Sequence, residues 1–275
     1  MQLSVSPLSG ALGAEISGVD LSRALDPETV SAIRKVWLEH LVIVFRGQKM
    51  TEADQLRFCG YFGTLDKPRV SRSASDQSPN VMFISNVRDM GLRTSLEDGE
   101  MMFHTDRVFD EHPFMAATLY AMEVPPAGGN TLFCNCYRVY EEMPAALKAA
   151  IEGRKALNVY DYQRNMVQKT QEPGPDAPRF VHPVVRAHPE TRRKALFVNR
   201  LMTDHIVGME PAESTALLDR VFDFAEQPRF IYEHVWRVGD FLMWDNRCTM
   251  HARTDFNPSH RRMMRRVAIC GDRPF

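Results

Sequence analysis

Seven short apolar runs, rich in β-branched and aromatic residues, are the feature that most constrains how this chain folds. Each run is five to seven residues long, which is the usual length of a strand and short for a helix. Many short strands with a few helices at their flanks predict a mainly β fold, either a barrel or a double sheet braced by helices. The runs are VMFIS, ATLYAM, NTLFCN, ALFVN, FIYEHVW, DFLMW and RRVAIC.

The first helix is predicted from its start signals and its apolar stripe. Asp26 is a suitable N-cap, and Pro27 follows at the first helical position. Apolar residues then recur at helical spacing, which predicts a helix that ends near His40 and buries one face. The stripe consists of Val30, Ile33, Trp37 and Leu38. The run LVIVF follows directly and predicts a buried strand.

Three further helices and two long loops are predicted. Thr51 and Asp54 form a capping-box pattern at the start of the second helix. Its buried residues are predicted to be Leu56, Cys59 and Phe62. The other helices are expected around residues 140–152 and 211–226. The polar segments 67–98 and 168–178 are expected to be loops, and long loops in compact domains are often lids or binding elements.

Length and composition predict a globular protein with a single domain over residues 1–275. The chain is 44% hydrophobic and 25% charged with a formal net charge of −1, which gives no sign of a nucleic-acid or membrane partner. Its five cysteines are irregularly spaced, and no basic-then-apolar leader opens the sequence. These features predict a reducing, cytoplasmic location. Cys134 and Cys136 lie closer together than zinc-binding cysteines usually do, so they are expected to be buried thiols.

The segment MMFHTDRVF places His104 two residues before Asp106 among bulky apolar residues. In a strand, residues i and i+2 point to the same face, so the imidazole and the carboxylate would converge. A metal ion is the simplest partner for such a pair. His251, which closes the segment FLMWDNRCTMH, is the candidate for a third ligand.

Two histidines and one carboxylate leave three positions of an iron(II) ion open, as in non-haem oxygenases. Zinc with the same ligands is an alternative, although the H-E-x-x-H motif of many zinc hydrolases is absent. Structural roles are expected for His182 and His188. The other histidines are expected at the surface or at helix ends; they are His40, His112, His205, His234 and His260.

Four arginines lie close together in the segment HRRMMRRVAIC. If this segment is a strand, Arg262 and Arg266 share one face, and Arg261 and Arg265 share the other. A guanidinium binds a carboxylate with two parallel hydrogen bonds, so one pair could face a cavity that holds a dicarboxylate. The alternative is a solvated surface.

Taken in order, these motifs resemble those of the taurine dioxygenase and 2,4-dichlorophenoxyacetate dioxygenase family of iron(II)/2-oxoglutarate-dependent oxygenases. The resemblance covers nearly the whole chain, and several motifs in the same order are more specific than any one of them. The matching segments are SPLSGALGAEISGVDLSRAL, FHTD, PPAGGNTLF, HPVVRAHPETRRKALFVN, WDNRCTMH and RRMMRRVAICGDRPF.

The resemblance implies a fold and a set of site residues. The fold is a double-stranded β-helix, or jelly roll, with helices packed outside it. The implied iron(II) ligands are His104, Asp106 and His251. Arg262, eleven residues after the last ligand, would bind the far carboxylate of 2-oxoglutarate together with Thr131. Arg266 would bind the anionic group of the primary substrate.

Departures from the family pattern concern that substrate. Where the taurine enzyme has a histidine that contacts sulfonate, this chain has Pro68, which disfavours taurine. The segments FISNVRDMG and WDNRC look closer to the branch that degrades aryloxyalkanoates. Phe103 and Tyr162 are candidates to contact an aromatic substrate, with a place in the core as the alternative. The candidates for an additional contact with a carboxylate or sulfonate are Lys67, Arg69 and Arg107, with a solvated surface as the alternative.

The resemblance therefore implies an enzyme that uses iron(II), 2-oxoglutarate and dioxygen to hydroxylate a small anionic organic substrate, releasing succinate and carbon dioxide. The presence of Asp106 disfavours halogenation, because halogenases of this type replace that carboxylate. Two alternatives remain: a non-catalytic protein that binds 2-oxoglutarate or another metabolite on the same fold, and a zinc hydrolase. A homo-oligomer is expected.

Overall fold

The computed structural model describes residues 3–67, 78–87, 94–95, 101–160 and 173–275. The first strands are β1 (Ser4–Pro7), β2 (Ala14–Ser17), β3 (Val42–Phe45), β4 (Val81–Ser85), β5 (Thr94–Ser95), β6 (Met101–His104), β7 (Phe114–Glu123) and β8 (Thr131–Asn135). They are followed by β9 (Lys155–Val159), β10 (Arg179–Pro183), β11 (Val185–Ala187), β12 (Lys194–Leu196), β13 (Thr203–Ile206), β14 (Ile231–His234), β15 (Phe241–Asp245), β16 (Thr249–Arg253) and β17 (Met263–Cys270).

The helices of these ranges are α1 (Pro27–His40), α2 (Glu52–Gly60), α3 (Cys136–Glu142), α4 (Ala145–Ile151) and α5 (Pro211–Ala225), with a short 3-10 turn at Pro228–Phe230. None of the helices in the described part of the chain is long and apolar enough to cross a membrane.

Two sheets form the centre of the fold. The larger one has the strand order β1-β2-β3-β15-β7-β17-β4-β5, and the smaller one has the order β14-β8-β16-β6. Phe133 of β8 and Trp244 of β15 pack with their ring centroids 5.6 Å apart, so the two sheets face each other across a shared apolar core. The expectation of a sheet-rich fold with flanking helices is confirmed.

Helix α1 begins as predicted. The Asp26 side chain accepts a hydrogen bond from the backbone N–H of Thr29 at 2.8 Å, and Pro27 is the first helical residue. Ile33 and Trp37 are fully buried, whereas the other two members of the predicted stripe are only half-buried. The helix therefore covers the sheet mainly through these two side chains.

Helix α2 has the predicted capping box between Thr51 and Asp54. The prediction of its buried face was partly wrong, because Leu56 is half-buried while Phe58 is buried. The buried face of the helix also contacts Arg265 of β17. Its guanidinium is buried under the helix, where it donates to Gln55 Oε1 at 2.7 Å and to the backbone carbonyl of Thr51 at 2.9 Å.

The helix expected at residues 140–152 is two shorter helices. Helix α3 ends at Glu142 and helix α4 begins at Ala145, with Pro144 between them. A proline has no N–H to donate and disfavours the helical conformation of the residue before it, so the chain turns at Met143.

Buried histidines make the fold sensitive to acid. His182 on β10 is 1% exposed, and its Nε2 donates to the backbone carbonyl of Asp110 at 2.8 Å. Burial lowers the pKa of His182 to about 4. In the unfolded chain the same ring titrates near its ordinary pKa of about 6.5. Below that pH the unfolded state binds a proton that the folded state does not, so the free energy of unfolding falls.

We expect the variant His182→Gln to be less sensitive to acid than the wild type. Glutamine keeps an N–H donor for the Asp110 carbonyl but does not titrate. Between about pH 7.5 and about pH 5.5, the variant should lose about 1.3 kcal/mol less unfolding free energy than the wild type, as measured by urea denaturation. The two proteins should have similar stability at the higher pH. Equal losses would show that His182 is not a source of the acid sensitivity.

Candidate metal centre

Strand pairing brings the two predicted histidine ligands together. His104 is the last residue of β6 and lies directly opposite His251 of β16 in the antiparallel register. Their ring centroids are 4.1 Å apart. Directly opposed residues of antiparallel strands project from the same face of the sheet, and this face is the one that packs against the larger sheet.

Asp106 reaches the same place by a different route from the one predicted. The strand ends at His104, so Asp106 lies in the turn beyond it, and the expectation that both residues share a strand was wrong. The side chain of Asn246 replaces the missing strand partner. Its Oδ1 accepts from the Asp106 backbone N–H at 2.9 Å, and its Nδ2 donates to the Asp106 carbonyl at 3.0 Å. The next residue, Arg107, has a φ of 55°, which turns the chain away.

The three side chains form a compact donor cluster. One potential ligand atom from each of His104, Asp106 and His251 lies within 4.8 Å of the others. Nε2 of His251 is 3.9 Å from Oδ2 of Asp106. Nδ1 of His104 is 3.0 Å from the backbone carbonyl of Met102. Since a carbonyl can only accept, Nδ1 carries the proton and Nε2 is left with a lone pair for a metal.

The protonation states of the cluster suit a divalent metal. Burial lowers the pKa of His104, and burial together with the nearby His104 lowers the pKa of His251 to about 3. Burial alone would raise the pKa of Asp106, but Arg266 and the two histidines lower it to about 2. Both imidazoles are therefore neutral and the carboxylate is ionised near neutral pH, which are the forms that bind metal.

These observations fit the two-histidine, one-carboxylate set that holds iron(II). The ring of His251 is oriented by packing instead of by a hydrogen bond. Its Nδ1 is buried and has no hydrogen-bond partner in the described part of the chain. The ring lies between Phe133 and Trp244, with centroid distances of 6.2 and 4.8 Å.

In a second cluster, which contains His188, Asp245 and Cys248, the potential metal ligands are already engaged in hydrogen bonds. Nδ1 of His188 accepts from the backbone N–H of Thr191 at 3.1 Å, so Nε2 carries the proton and donates to Asp245 at 3.1 Å. Both oxygens of Asp245 also accept from Arg247, at 2.8 and 2.7 Å. The donors are thus occupied by hydrogen bonds, and this cluster is a structural network.

The network extends across three parts of the fold. Arg247 also contacts Glu190 at 2.7 Å, and Glu190 contacts Arg34 of α1 at 2.9 Å. The turn between β15 and β16 is therefore fixed on both sides of Asn246, the residue that holds the Asp106 backbone.

Arg262 is a buried cation whose charge is not balanced. The residue is 2% exposed, and its Nε donates to the Gly129 carbonyl at 3.2 Å. No carboxylate among the described residues forms an ion pair with it. Burial and the neighbouring Arg253 lower its pKa to about 9. Unpaired buried charges are costly, so this guanidinium is suited to bind an anion.

Gly129 allows this close approach. Its φ is +64°, and a Cβ at this position would lie 3.1 Å from both Cδ and Nε of Arg262. A side chain would therefore meet both backbone strain and the guanidinium stem. The loop that leads into β8 is built to receive Arg262.

Thr131 is the first residue of β8 and is buried. It lies opposite Arg253 of β16, two residues along the strand from His251, so Thr131 and His251 are on the same face of the sheet. Its Oγ1 accepts a hydrogen bond from the indole N–H of Trp236 at 3.0 Å. Thr131 thus shares the strand face of the metal ligand His251.

Arg266 contacts the donor cluster itself. Its guanidinium is 2.6 Å from Oδ2 of Asp106 and lies over the ring of Phe114, 5.2 Å from the centroid. Arg265 points to the opposite side of β17, toward α2. The predicted alternation of these two arginines is therefore confirmed.

The other predicted substrate contacts have different surroundings. Arg107 pairs with Asp66 and with Asp110, each at 2.6 Å, so its charge is already balanced. Phe103 is 8% exposed and belongs to the main apolar core, which is the alternative place that the sequence analysis gave it. Its role as a substrate contact stays a prediction. Lys67 is exposed. Arg69 and Tyr162 lie outside the described residues.

Three site residues were missed from the sequence. Asn246 lies inside the quoted motif WDNRC, and Arg253 follows His251 by two residues, which places it on the same strand face. Either spacing was available as a signal. Trp236 gave no such signal, because its contact with Thr131 joins two separate strand ends. His234, expected at the surface, is fully buried beside Trp236.

Comparisons with known proteins agree with this site. The family model described as "Taurine catabolism dioxygenase TauD, TfdA family" matches residues 4–268. The pentalenolactone F synthase of Streptomyces avermitilis is 32% identical, covering 96% of this chain and 92% of its own. The (S)-phenoxypropionate/alpha-ketoglutarate-dioxygenase of Sphingobium herbicidovorans is 33% identical, covering 98% and 95%. The crystal structure of a taurine dioxygenase from Burkholderia xenovorans has a TM-score of 0.85 at 32% identity, covering 99% and 90%.

The fold and the site thus define a dioxygenase. The chain belongs to the taurine catabolism dioxygenase TauD, TfdA family, and the family expected from the sequence motifs is confirmed. The protein is accordingly an enzyme of the oxidoreductase class.

We expect Asn246→Ala to weaken metal binding. Without the amide, neither backbone group of Asp106 is held, so the carboxylate must be ordered when the metal binds. The metal dissociation constant should rise by about 10- to 100-fold, the usual effect of removing a group that supports a ligand. A titration with Co(II), followed by visible absorption, measures it.

Asn199→Ala is the matched control. Asn199 is also fully buried, and its side chain accepts from the backbone N–H of Met202 at 2.8 Å; among the described residues it forms no hydrogen bond with His104, Asp106 or His251. This variant should lose stability without losing metal affinity. An unchanged dissociation constant in Asn246→Ala would contradict the role of Asn246.

Proposed function

We propose that the protein is an iron(II)- and 2-oxoglutarate-dependent dioxygenase that hydroxylates a small organic substrate bearing one negative charge. In the balanced reaction, 2-oxoglutarate, dioxygen and a substrate R–H give succinate, carbon dioxide and R–OH. The observation that carries the proposal is Arg262, a buried guanidinium without a carboxylate partner among the described residues, in a chain that also holds an iron-type donor set of His104, Asp106 and His251.

His104, Asp106 and His251 would hold the iron. When bound, iron(II) supplies the activation of dioxygen, which is the chemistry of the cofactor itself. The protein keeps the two imidazoles neutral and the carboxylate ionised, so the ligands need not release protons when the metal binds. Phe133 and Trp244 exclude water from one side of the His251 ring.

Arg262 and Thr131 would bind the far carboxylate of 2-oxoglutarate. A guanidinium matches a carboxylate in both charge and geometry. The Thr131 hydroxyl accepts from Trp236, which leaves its own hydrogen for the ligand. Binding of this carboxylate would neutralise the charge of Arg262.

Charge balance favours a substrate with one negative charge. The count includes only the charged side chains of the site whose contacts are fully described. Asp106 contributes one negative charge, and Arg262 and Arg266 contribute one positive charge each. Iron(II) and doubly charged 2-oxoglutarate cancel each other, so one positive charge remains. A carboxylate, a sulfonate or a sulfate monoester would neutralise it.

Arg266 is the proposed partner of that anionic group. It lies between the donor cluster and the face of Phe114, where an organic anion would be close to the metal. An aryloxyalkanoate-like acid fits this reading, and the similarity to the phenoxypropionate enzyme supports it. Lys67 and Arg69, at the start of the polar segment 67–98, are proposed as outer contacts. Arg107 is a weaker candidate because Asp66 and Asp110 already pair with it.

The proposal also covers the organisation of the protein. The two facing sheets are proposed to form the double-stranded β-helix of the family, within one catalytic domain over residues 1–275. A cytoplasmic location is proposed as well, on the irregular spacing of the five cysteines, and a homo-oligomeric state on the family resemblance.

The experiment that tests the function is oxygen consumption by anaerobically iron-loaded protein with 2-oxoglutarate and a panel of substrates. The panel contains aryloxypropionates, aryloxyacetates, alkyl sulfates, sulfonates including taurine, and simple carboxylates. We expect one class of monoanion to stimulate oxygen uptake, with about one succinate per dioxygen. Asp106→Ala should abolish this turnover.

Other results would contradict the proposal in different ways. Binding of 2-oxoglutarate without any oxygen consumption would favour the non-catalytic binding protein. Stoichiometric zinc after anaerobic purification, together with oxygen-independent hydrolysis, would favour the hydrolase.

Arginine substitutions should separate the two anionic ligands. Arg262→Met should raise the KM for 2-oxoglutarate by about 100-fold, because truncating one partner of a buried charge pair costs about 2–5 kcal/mol. Arg266→Met should act mainly on the KM of the primary substrate, with a further loss of metal affinity through its contact with Asp106. Steady-state kinetics with each ligand varied in turn measures both effects.

Arg261→Met is the control. Arg261 is half-exposed and pairs with Glu123 at the surface, so its loss should leave both KM values within about twofold, as expected for an exposed ion pair. If Arg262→Met affected the primary substrate and Arg266→Met affected 2-oxoglutarate, the two assignments would be reversed.

A further inference from the structure

The hydrogen bond between Trp236 and Thr131 determines which way the threonine hydroxyl can donate. The indole nitrogen is only a donor, so Oγ1 of Thr131 must be the acceptor in this 3.0 Å contact. The hydroxyl has a single hydrogen, and no other side-chain hydrogen bond of Thr131 is present among the described residues. Both residues are buried, at 6% and 3% exposure. The hydrogen therefore needs an acceptor that the described protein does not supply.

The surroundings indicate a negatively charged acceptor. Gly129, two residues before Thr131, accepts from the buried guanidinium of Arg262. Arg253 lies directly across from Thr131 in β16. A neutral acceptor would leave Arg262 unbalanced, whereas a carboxylate would accept from both the hydroxyl and the guanidinium.

Trp236 is itself held in place by a buried network. Its ring packs edge-on against His234, with centroids 4.4 Å apart at 80°. His234 is fixed on both nitrogens: Nε2 is 3.2 Å from Asp240, and Nδ1 is 2.9 Å from the Tyr232 hydroxyl. Asp240 in turn pairs with Arg46 of the loop after β3. The indole N–H is therefore directed at Thr131 before any ligand binds.

We infer that Trp236 is a positioning residue for the co-substrate: by donating to Oγ1, it forces Thr131 to donate its hydrogen to the far carboxylate of a bound 2-oxo acid. The inference rests on the proposed function and adds a residue to it. Trp236 acts through Thr131 and does not itself touch the ligand. Its contribution should therefore depend on the presence of the far carboxylate.

The test compares two 2-oxo acids that differ in that group alone. 2-Oxoglutarate has the far carboxylate, and 2-oxopentanoate ends in a methyl group at the corresponding position. Dissociation constants are measured without oxygen, from the visible absorption of the iron(II) complex with each acid. Trp236→Phe keeps the ring packing against His234 and removes the N–H donor.

We expect Trp236→Phe to raise the dissociation constant of 2-oxoglutarate by about 3- to 10-fold, the range for loss of one hydrogen bond. The constant for 2-oxopentanoate should stay unchanged. Thr131→Val should show the same selectivity for 2-oxoglutarate. The double variant should be no weaker than Thr131→Val alone, because the two residues act as a unit.

Trp37→Phe is the matched control. Trp37 is also buried, and its indole nitrogen has no hydrogen-bond partner in the described part of the chain. The same substitution there should leave both dissociation constants unchanged.

Two results would overturn the inference while leaving the proposed function intact. One is equal weakening of both acids by Trp236→Phe, which would indicate a packing role. The other is additive losses in the double variant. If the wild type bound no 2-oxoglutarate at all, the proposed function would fail, and this inference with it.

Discussion

The buried ion pair between Asp245 and Arg247 is the contact on which the geometry of the site depends. It fixes the turn that presents Asn246 to Asp106 and that leads into the strand carrying His251. Because Arg247 continues to Glu190 and on to Arg34, a strand turn, a loop and helix α1 are held in one arrangement. Ion pairs of this kind are weak sources of net stability, but removing one partner typically costs about 3–5 kcal/mol. The network therefore mainly holds the turn, the loop and helix α1 in place, and it adds little to the net free energy of unfolding.

Two buried arginines three residues apart show the difference between structure and function. Arg265 donates to Gln55 and to backbone carbonyls at the start of α2, and its hydrogen bonds are complete within the protein. Arg262 has a single carbonyl contact through Nε and no ion pair among the described residues. Both were part of one basic run in the sequence. Arg262 therefore marks the binding site, since a buried guanidinium without a counterion among the described residues implies an anionic ligand.

The sequence predicted the strands formed by apolar runs, α1 and the capping box of α2, because these depend on local patterns. The motifs in a fixed order indicated His104, Asp106 and His251, which the structure brings together. The predicted reason why His104 and Asp106 lie close together was only partly right. His104 and Asp106 were expected on one strand, but the strand stops between them and an asparagine from a distant turn takes over. His234 was expected at the surface because its neighbours are polar, whereas it is buried by contacts with Tyr232, Trp236 and Asp240. Such contacts join separate segments and leave no periodicity in a single sequence. The break at Pro144, by contrast, was predictable from proline chemistry alone.

The contact between Asn246 and Asp106 joins residues that are 140 positions apart in the chain. Closing so long a loop has a large entropic cost, which is recovered only when the surrounding sheets are in place. The donor cluster is thus assembled from segments that are far apart while the chain is being synthesised. An emerging chain that has not yet released the segment around Asn246 has no complete site. We therefore expect metal loading to follow folding, because the three ligands meet only in the folded chain.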